Sequence, residues 1–109
     1  MNLNKKSEKI YSWLGLAQRA GQLVSGEDTV HRLIGKKKLS LLVVATDCSD
    51  NTRKLTEKWA AIDQIPLLPI GTRDTLGQAI GKQWRAVIGV KDLGFALKLQ
   101  QLVNAQDEY

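Results

Sequence analysis

Cys48 lies a few residues past the apolar run Leu39–Ala45, at the carboxyl end of a candidate strand, where open α/β sheets place their ligands. A thiol at that point could act as a nucleophile. A cysteine phosphatase of the Cys-x5-Arg type needs arginine at position 54, but that position is Lys54, and Arg53 falls one residue short. Lysine is a point charge and a poor substitute for a bidentate phosphate clamp. An activated thiol also needs a nearby cation or base, and the single histidine, His31, falls on a different predicted helix. A small residue filling a strand–helix turn accounts for Cys48 more simply. One cysteine and one histidine also fall short of the roughly four ligands a zinc site uses. Asp47 and Asp50 share one turn and are accounted for by capping the helix that follows. The chain has neither a Gly-x4-Gly-Lys-Ser/Thr loop nor a Gly-x-Gly-x-x-Gly turn after a strand. The sequence therefore points to no catalytic residues, no metal and no cofactor.

Two other stretches carry binding chemistry. Val24-Ser25-Gly26-Glu27-Asp28-Thr29-Val30-His31-Arg32 reads as a strand end, a glycine turn and a helix start bearing polar groups. Leu76-Gly77-Gln78-Ala79-Ile80-Gly81-Lys82-Gln83-Trp84-Arg85 reads as a helix end running into a cationic, aromatic loop. Arg32, Lys36, Lys37 and Lys38 lie on or just past one helix, while Lys82 and Arg85 flank Gln83 and Trp84. Cations neutralise phosphates without regard to sequence, and a loop aromatic can stack on an unpaired base. Each feature has a plainer explanation: the lysine run as a solvated helix end, Trp84 as a core residue leading into the last strand, and His31 as a helix-surface residue. Their coincidence at one predicted edge favours nucleic acid. The charge balance agrees, with 16 Lys+Arg against 11 Asp+Glu and a formal charge of +5 at a sequence pI near 9.5. RNA is preferred over DNA because specific RNA recognition uses splayed bases in bulges and loops. No helix-turn-helix, zinc-finger or basic-zipper pattern supports a major-groove reader.

The elements that would position these groups follow from periodicity. Ile10, Trp13, Leu14 and Ala17 give a first helix one apolar face, and Gly21 is placed to stop it in a left-handed conformation. Residues 22–24 form a strand candidate, and Ser25-x-x-Asp28 fits a capping box for a helix burying Val30, Leu33 and Ile34. Gly35 and Lys36-Lys37-Lys38 end that helix. Leu39–Ala45 is apolar on both faces, as in a parallel sheet flanked by helices. Ser49 or Asp50 caps the next helix, with Leu55, Trp59 and Ile62 inward. The two prolines of Ile65–Ile70 remove two ladder donors and place that strand at an edge. Thr72 caps a short helix with Leu76, Ala79 and Ile80 inward; Ala86–Val90 is a second central strand; Asp92 opens a last helix on Phe95, Leu99, Leu102 and Val103. The tail Gln106–Tyr109 is expected to fray. At 109 residues, this alternation makes one domain, a helix–sheet–helix sandwich whose crossovers suit parallel strands. No apolar run approaches the roughly 18 residues of a membrane span, and no signal core follows the charged start Met1–Glu8. A lone cysteine suits a cytoplasmic setting.

Laid out in this way, the chain resembles the kink-turn RNA-binding ribosomal-protein family, known from the archaeal L-seven-Ae and eukaryotic L-thirty-e proteins. It is most similar to the short bacterial members grouped as YlxQ. The similarity runs from about Ile10 to Leu102 and is most specific in Gly15-Leu16-Ala17-Gln18-Arg19-Ala20-Gly21 with Val24-Ser25-Gly26, and in Leu76-Gly77-Gln78-Ala79-Ile80-Gly81; the strand ending Val44-Ala45-Thr46-Asp47 also fits. The resemblance implies a three-layer α/β/α sandwich with a small mixed four-stranded sheet, no enzymatic activity, and an RNA edge built from two loops and one helix start. In the family, a Gly-x-Asn-Glu-x-x-Lys segment holds paired guanine and adenine bases of a kinked duplex. Here Gly26 keeps the glycine and Arg32 the final cation, while Asp28 stands for the asparagine and Thr29 for the glutamate. Asp28 lacks amide donors, and Thr29 offers one hydroxyl in place of a carboxylate. The family's second loop is largely apolar, whereas Lys82-Gln83-Trp84-Arg85 is cationic and aromatic.

The expected reading is a monomeric, non-catalytic protein that binds structured RNA, with ribosomal RNA and ribosomal or translation proteins as its expected company. The candidate RNA-binding residues are Gly26, Asp28, Thr29, Arg32, Lys36, Lys37, Asp47, Lys82, Gln83, Trp84 and Arg85. The competing readings are a protein-interaction module using the same basic edge and, behind it, a small enzyme centred on Cys48.

Overall fold

A computed structural model describes residues 5–105, so the N-terminal residues 1–4 and the tail 106–109, including the fraying expected there, lie outside the described residues. Five helices and four strands alternate: α1 Lys5–Arg19, β1 Leu23–Ser25, α2 Glu27–Leu33, β2 Leu41–Val44, α3 Asp50–Asp63, β3 Leu67–Pro69, α4 Arg73–Ala79, β4 Val87–Val90 and α5 Leu93–Asn104. The strands form one sheet in the order β1-β4-β2-β3. Alternation along each strand divides the core. Leu23, Leu41, Val43, Ile88 and Val90 face α1, α4 and α5, while Leu42 and Val87 face Val30 of α2 and Trp59 of α3. The result is the three-layer α/β/α sandwich with a small mixed sheet.

The parallel arrangement suggested by the buried strands holds only for β2 and β3. β4 runs antiparallel to both of its neighbours, with Ser25 opposite Ile88 on one side and Val44 opposite Val87 on the other. β1, β2 and β3 therefore share one direction, and β4 is inserted head-to-tail between the first two. A four-residue strand that is apolar on both faces buries equally well in either direction, so its composition carries no directional signal. β3 lies at the edge, as its prolines require.

Two local expectations change. α2 starts at Gly26 and not in a capping box, since no side chain caps the helix and Gly26 adopts φ 93° and ψ 148°, a conformation open to glycine. Ser25 is still in β1, and its hydroxyl is used elsewhere. In α3, Ile62 is 50% exposed, and the inward face is made instead by Thr52, Thr56, Trp59, Ala60 and Asp63. The cap of α3 is Ser49, whose Oγ accepts from the Thr52 N–H at 3.1 Å. Asp50 pairs with exposed Arg53, and Asp47, in the turn between β2 and α3, turns its carboxylate to the start of α4. Ser49→Ala should cost about 1 kcal/mol in urea unfolding, because no neighbouring hydroxyl replaces the lost acceptor.

Candidate nucleic-acid interface

The direction of β4 assembles the site. The carboxyl ends of β1, β2 and β3 lie at the end of the sheet where β4 begins, so the loop entering β4 joins the loops leaving the other three. Backbone bonds lock this end: the Gly26 N–H donates to Val87 O (2.9 Å), Ala45 to Ala86 O (2.9 Å), and Thr46 to Gly71 O (2.7 Å).

Arg85 ties the two principal loops together. Its Nε donates to Ser25 Oγ at 3.1 Å, and its Nη1 donates to the carbonyls of Gln83 (3.3 Å) and Trp84 (3.1 Å). It therefore serves as a strut between the β4-entry loop and the Gly26 helix start, as well as a cation. Trp84 is 58% exposed and so is not the core residue its position allowed. The Arg73 guanidinium lies 5.2 Å from its ring centroid, and the Arg73 carbonyl accepts from the Arg85 N–H at 3.0 Å. Asp47 in turn accepts from the Arg73 N–H at 2.9 Å and lies 3.6 Å from its Nε. That pair is solvent-exposed and worth little energetically; what it does is aim Arg73 beneath the indole. Arg73 is missing from the sequence-derived set. A cation in the first turn of a helix opposes the helix dipole, and that misfit is the signal the sequence carries for it.

Gly77 keeps the loop where it is. A Cβ added there would sit 2.7 Å from the Gln83 carbonyl carbon and 2.8 Å from Trp84 Cα, and closer still to the Gln83 oxygen. The Lys82 N–H also donates to the Gly77 carbonyl at 2.8 Å. Lys82 and Gln83 are exposed beside Trp84.

On α2, Asp28 points to solvent and Thr29 is half-buried, its hydroxyl accepting from Arg32 Nη2 at 3.4 Å. Glu27 faces the other way: Thr52 Oγ1 donates to its carboxylate at 2.5 Å, and Ser49 Oγ donates to that threonine at 3.0 Å. This chain holds the start of α2 against the start of α3. His31 is exposed and stacks on Trp59, with ring centroids 4.9 Å apart.

Not every candidate converges. Lys36 and Lys37 follow the C-terminus of α2, at the opposite end of the sheet, where Leu23, Val90 and Leu41 pair and the Lys91 N–H bonds to Gln22 O. The predicted single edge is therefore two basic patches joined by α2. Cys48 is half-buried against the α1/α4/α5 core, whereas His31 stacks in the opposite layer, so the fold does not bring thiol and imidazole together. Among the described residues, no group of three His, Cys, Asp or Glu could hold a metal ion, and no helix is long and apolar enough to cross a membrane.

Residues 8–100 match the model of the Ribosomal protein L7Ae/L30e/S12e/Gadd45 family. The chain belongs to this family. Within the L7Ae/L30e/S12e/Gadd45 group it is similar to the RNA-binding protein YlxQ of Bacillus subtilis, with 40% identity over 84% of this chain and 91% of that protein. It is also 34% identical to the RNA-binding protein YlxQ of Enterococcus faecium, over 89% of this chain and 93% of that one. A solved structure from Bacillus halodurans, described as a protein with unknown function, shares 41% identity and a TM-score of 0.85, covering 89% of this chain and 98% of its own.

Proposed function

We propose that this L7Ae-family chain is a non-catalytic protein that binds structured RNA of the kink-turn or bulged type, acting as a cytoplasmic monomer in association with ribosomal RNA. The observation that carries the reading is the Arg85–Ser25 bond, which holds an exposed tryptophan and its flanking cations against the Gly26 helix start. Membership of the family and the similarity to two proteins named for RNA binding support the same conclusion. In this reading Trp84 stacks on an unpaired base, Lys82 meets phosphate, and Asp28, Thr29 and Arg32 face bases or backbone near the kink. Arg85 acts chiefly as the strut that keeps the two halves in register.

The test is binding to a kink-turn RNA and to a straight duplex of equal length at two salt concentrations. A preference of at least tenfold for the kinked RNA, about 1.4 kcal/mol, is the expected result. Equal binding, strongly weakened by salt, would replace kink recognition with general phosphate binding. Absence of binding to either RNA would favour an acidic protein partner. Asp28→Asn supplies the amide donors that the aspartate lacks; it should raise affinity for the kinked RNA several-fold and leave the duplex nearly unaffected. An equal gain for both would trace the effect to lost charge alone.

A further inference from the structure

We infer that the patch at the far end of α2 is a second contact surface, shaped for the phosphate backbone of a duplex arm that extends from the RNA held at the Gly26–Trp84 end. An open concavity of about 630 Å³ lies there, lined by Lys36, Lys37, Lys38 and Lys91 over a floor of Val24 and Leu33, and it reaches back along α2 to Thr29 and Arg32, which it shares with the first site. No carboxylate and no aromatic ring lines it. None of the four ammonium groups has a hydrogen-bond or ion-pair partner among the described residues.

The lysine run is a built turn and not a frayed helix end. The Gly35 N–H donates at 2.8 Å to Oδ1 of Asp63, a carboxylate only 4% exposed, and the Ile34 and Lys36 N–H groups bond back into α2. Gly35 and Lys37 are both left-handed, at φ 89° and 57°. A lysine held in that conformation is unfavourable, and its ammonium makes no hydrogen bond or ion pair among the described residues that would offset the cost. A buried carboxylate thus fixes a turn whose side chains are offered to solvent as a fan of cations.

The chemistry of the lining selects the occupant. Single strands are held on aromatic platforms, and this surface has none. It offers charge on two walls, from the turn and from the end of β4, over an aliphatic floor. That suits regularly spaced phosphates whose bases are paired and turned inward. α2, with seven residues, spans roughly 10 Å, so one helical arm can leave the first site and reach the second without a bend.

This inference rests on the RNA reading above, and the experiment separates the two. The full chain and its Lys38→Ala/Lys91→Ala variant are titrated with RNAs sharing one kink-turn core, in which each arm is either cut short or extended in turn. For the original chain, extending one of the arms should raise affinity about tenfold and steepen the salt slope by about two units. The double variant should lose that gain while binding the short-armed RNA as before. Both side chains are exposed and unpartnered, so folding is not at stake. Short-arm binding without any gain on extension would overturn this proposal and leave the kink reading standing. Equal weakening of all the RNAs would also overturn it, as a general charge effect. Failure of the original chain to bind any of them would overturn both.

Discussion

Gly77→Ala is expected to destabilise the fold by about 1–2 kcal/mol and to weaken RNA binding at least tenfold, although alanine is the better helix former. Two effects of opposite sign compete. In an unobstructed helix the exchange gains close to 1 kcal/mol. Here the new methyl would lie 2.7–2.8 Å from backbone atoms of Gln83 and Trp84. A flexible side chain could move aside, but this backbone is anchored by the Lys82–Gly77 bond and by the Arg85 contacts to Ser25 and Arg73. Forced overpacking costs about 1–3 kcal/mol, so the clash outweighs the propensity. The same displacement would carry Trp84 away from Gly26, which couples the stability loss to the binding loss. Denaturant unfolding together with RNA titration checks both. A variant that is more stable by about 1 kcal/mol and binds RNA normally would show that the loop can step aside and that its position is not what positions the RNA.

Trp84→Ala should do the reverse, leaving stability nearly intact while removing affinity. The indole is 58% exposed, and its cation–π contact with Arg73 at 5.2 Å is of the exposed kind, worth about 0.5–1 kcal/mol. Loss of one base-stacking platform costs about 1–3 kcal/mol, or roughly 5- to 150-fold in affinity for a bulged RNA. Because tryptophan carries no charge, the salt slope should not change. Lys82→Ala should show the complementary pattern, with a slope shallower by about one unit and a smaller loss of affinity. Trp84→Tyr should recover part of the binding, since a smaller ring still stacks. A full loss of binding in Trp84→Tyr, or a changed slope in Trp84→Ala, would mean that the residue shapes the loop and does not meet a base.

Trp84 also shows how far the sequence reaches. A tryptophan two residues before an apolar strand is consistent with either a core position or a displayed one, and composition does not choose. The choice comes from Arg73, eleven positions earlier in the chain, whose guanidinium lies over the ring face, and from Gly77, which lets the loop pass close enough to be held. The capping box read at Ser25 and Asp28 failed for a related reason. The local pattern was sound, but the Ser25 hydroxyl accepts from Arg85, 60 residues away along the chain, and glycine geometry starts the helix one residue later. Ile62 satisfied helical spacing and still faces solvent, because α3 rolls to bury Thr52, Thr56 and Asp63. Thr52 goes inward with its hydroxyl on the Glu27 carboxylate, and Asp63 with its carboxylate on the Gly35 N–H. Periodicity has no knowledge of polar partners.

The order of the elements, the two-faced burial of the central strands, the edge placement of the proline-bearing strand and the caps at Ser49, Thr72 and Asp92 are all properties of short windows, where side-chain spacing and turn chemistry act locally. The sequence by itself determined these, and with them the α/β sandwich and the residue types on offer at the candidate interface. Tertiary structure alone decided which of those residues meet. The antiparallel insertion of β4 between β1 and β2 brings Lys82–Arg85 beside Gly26 and leaves Lys36 and Lys37 beside Lys91 at the other end. A strand of four apolar residues reads the same in both directions, so only the long-range fit of α4 and its loop against the rest of the fold sets which loops share one end of the sheet.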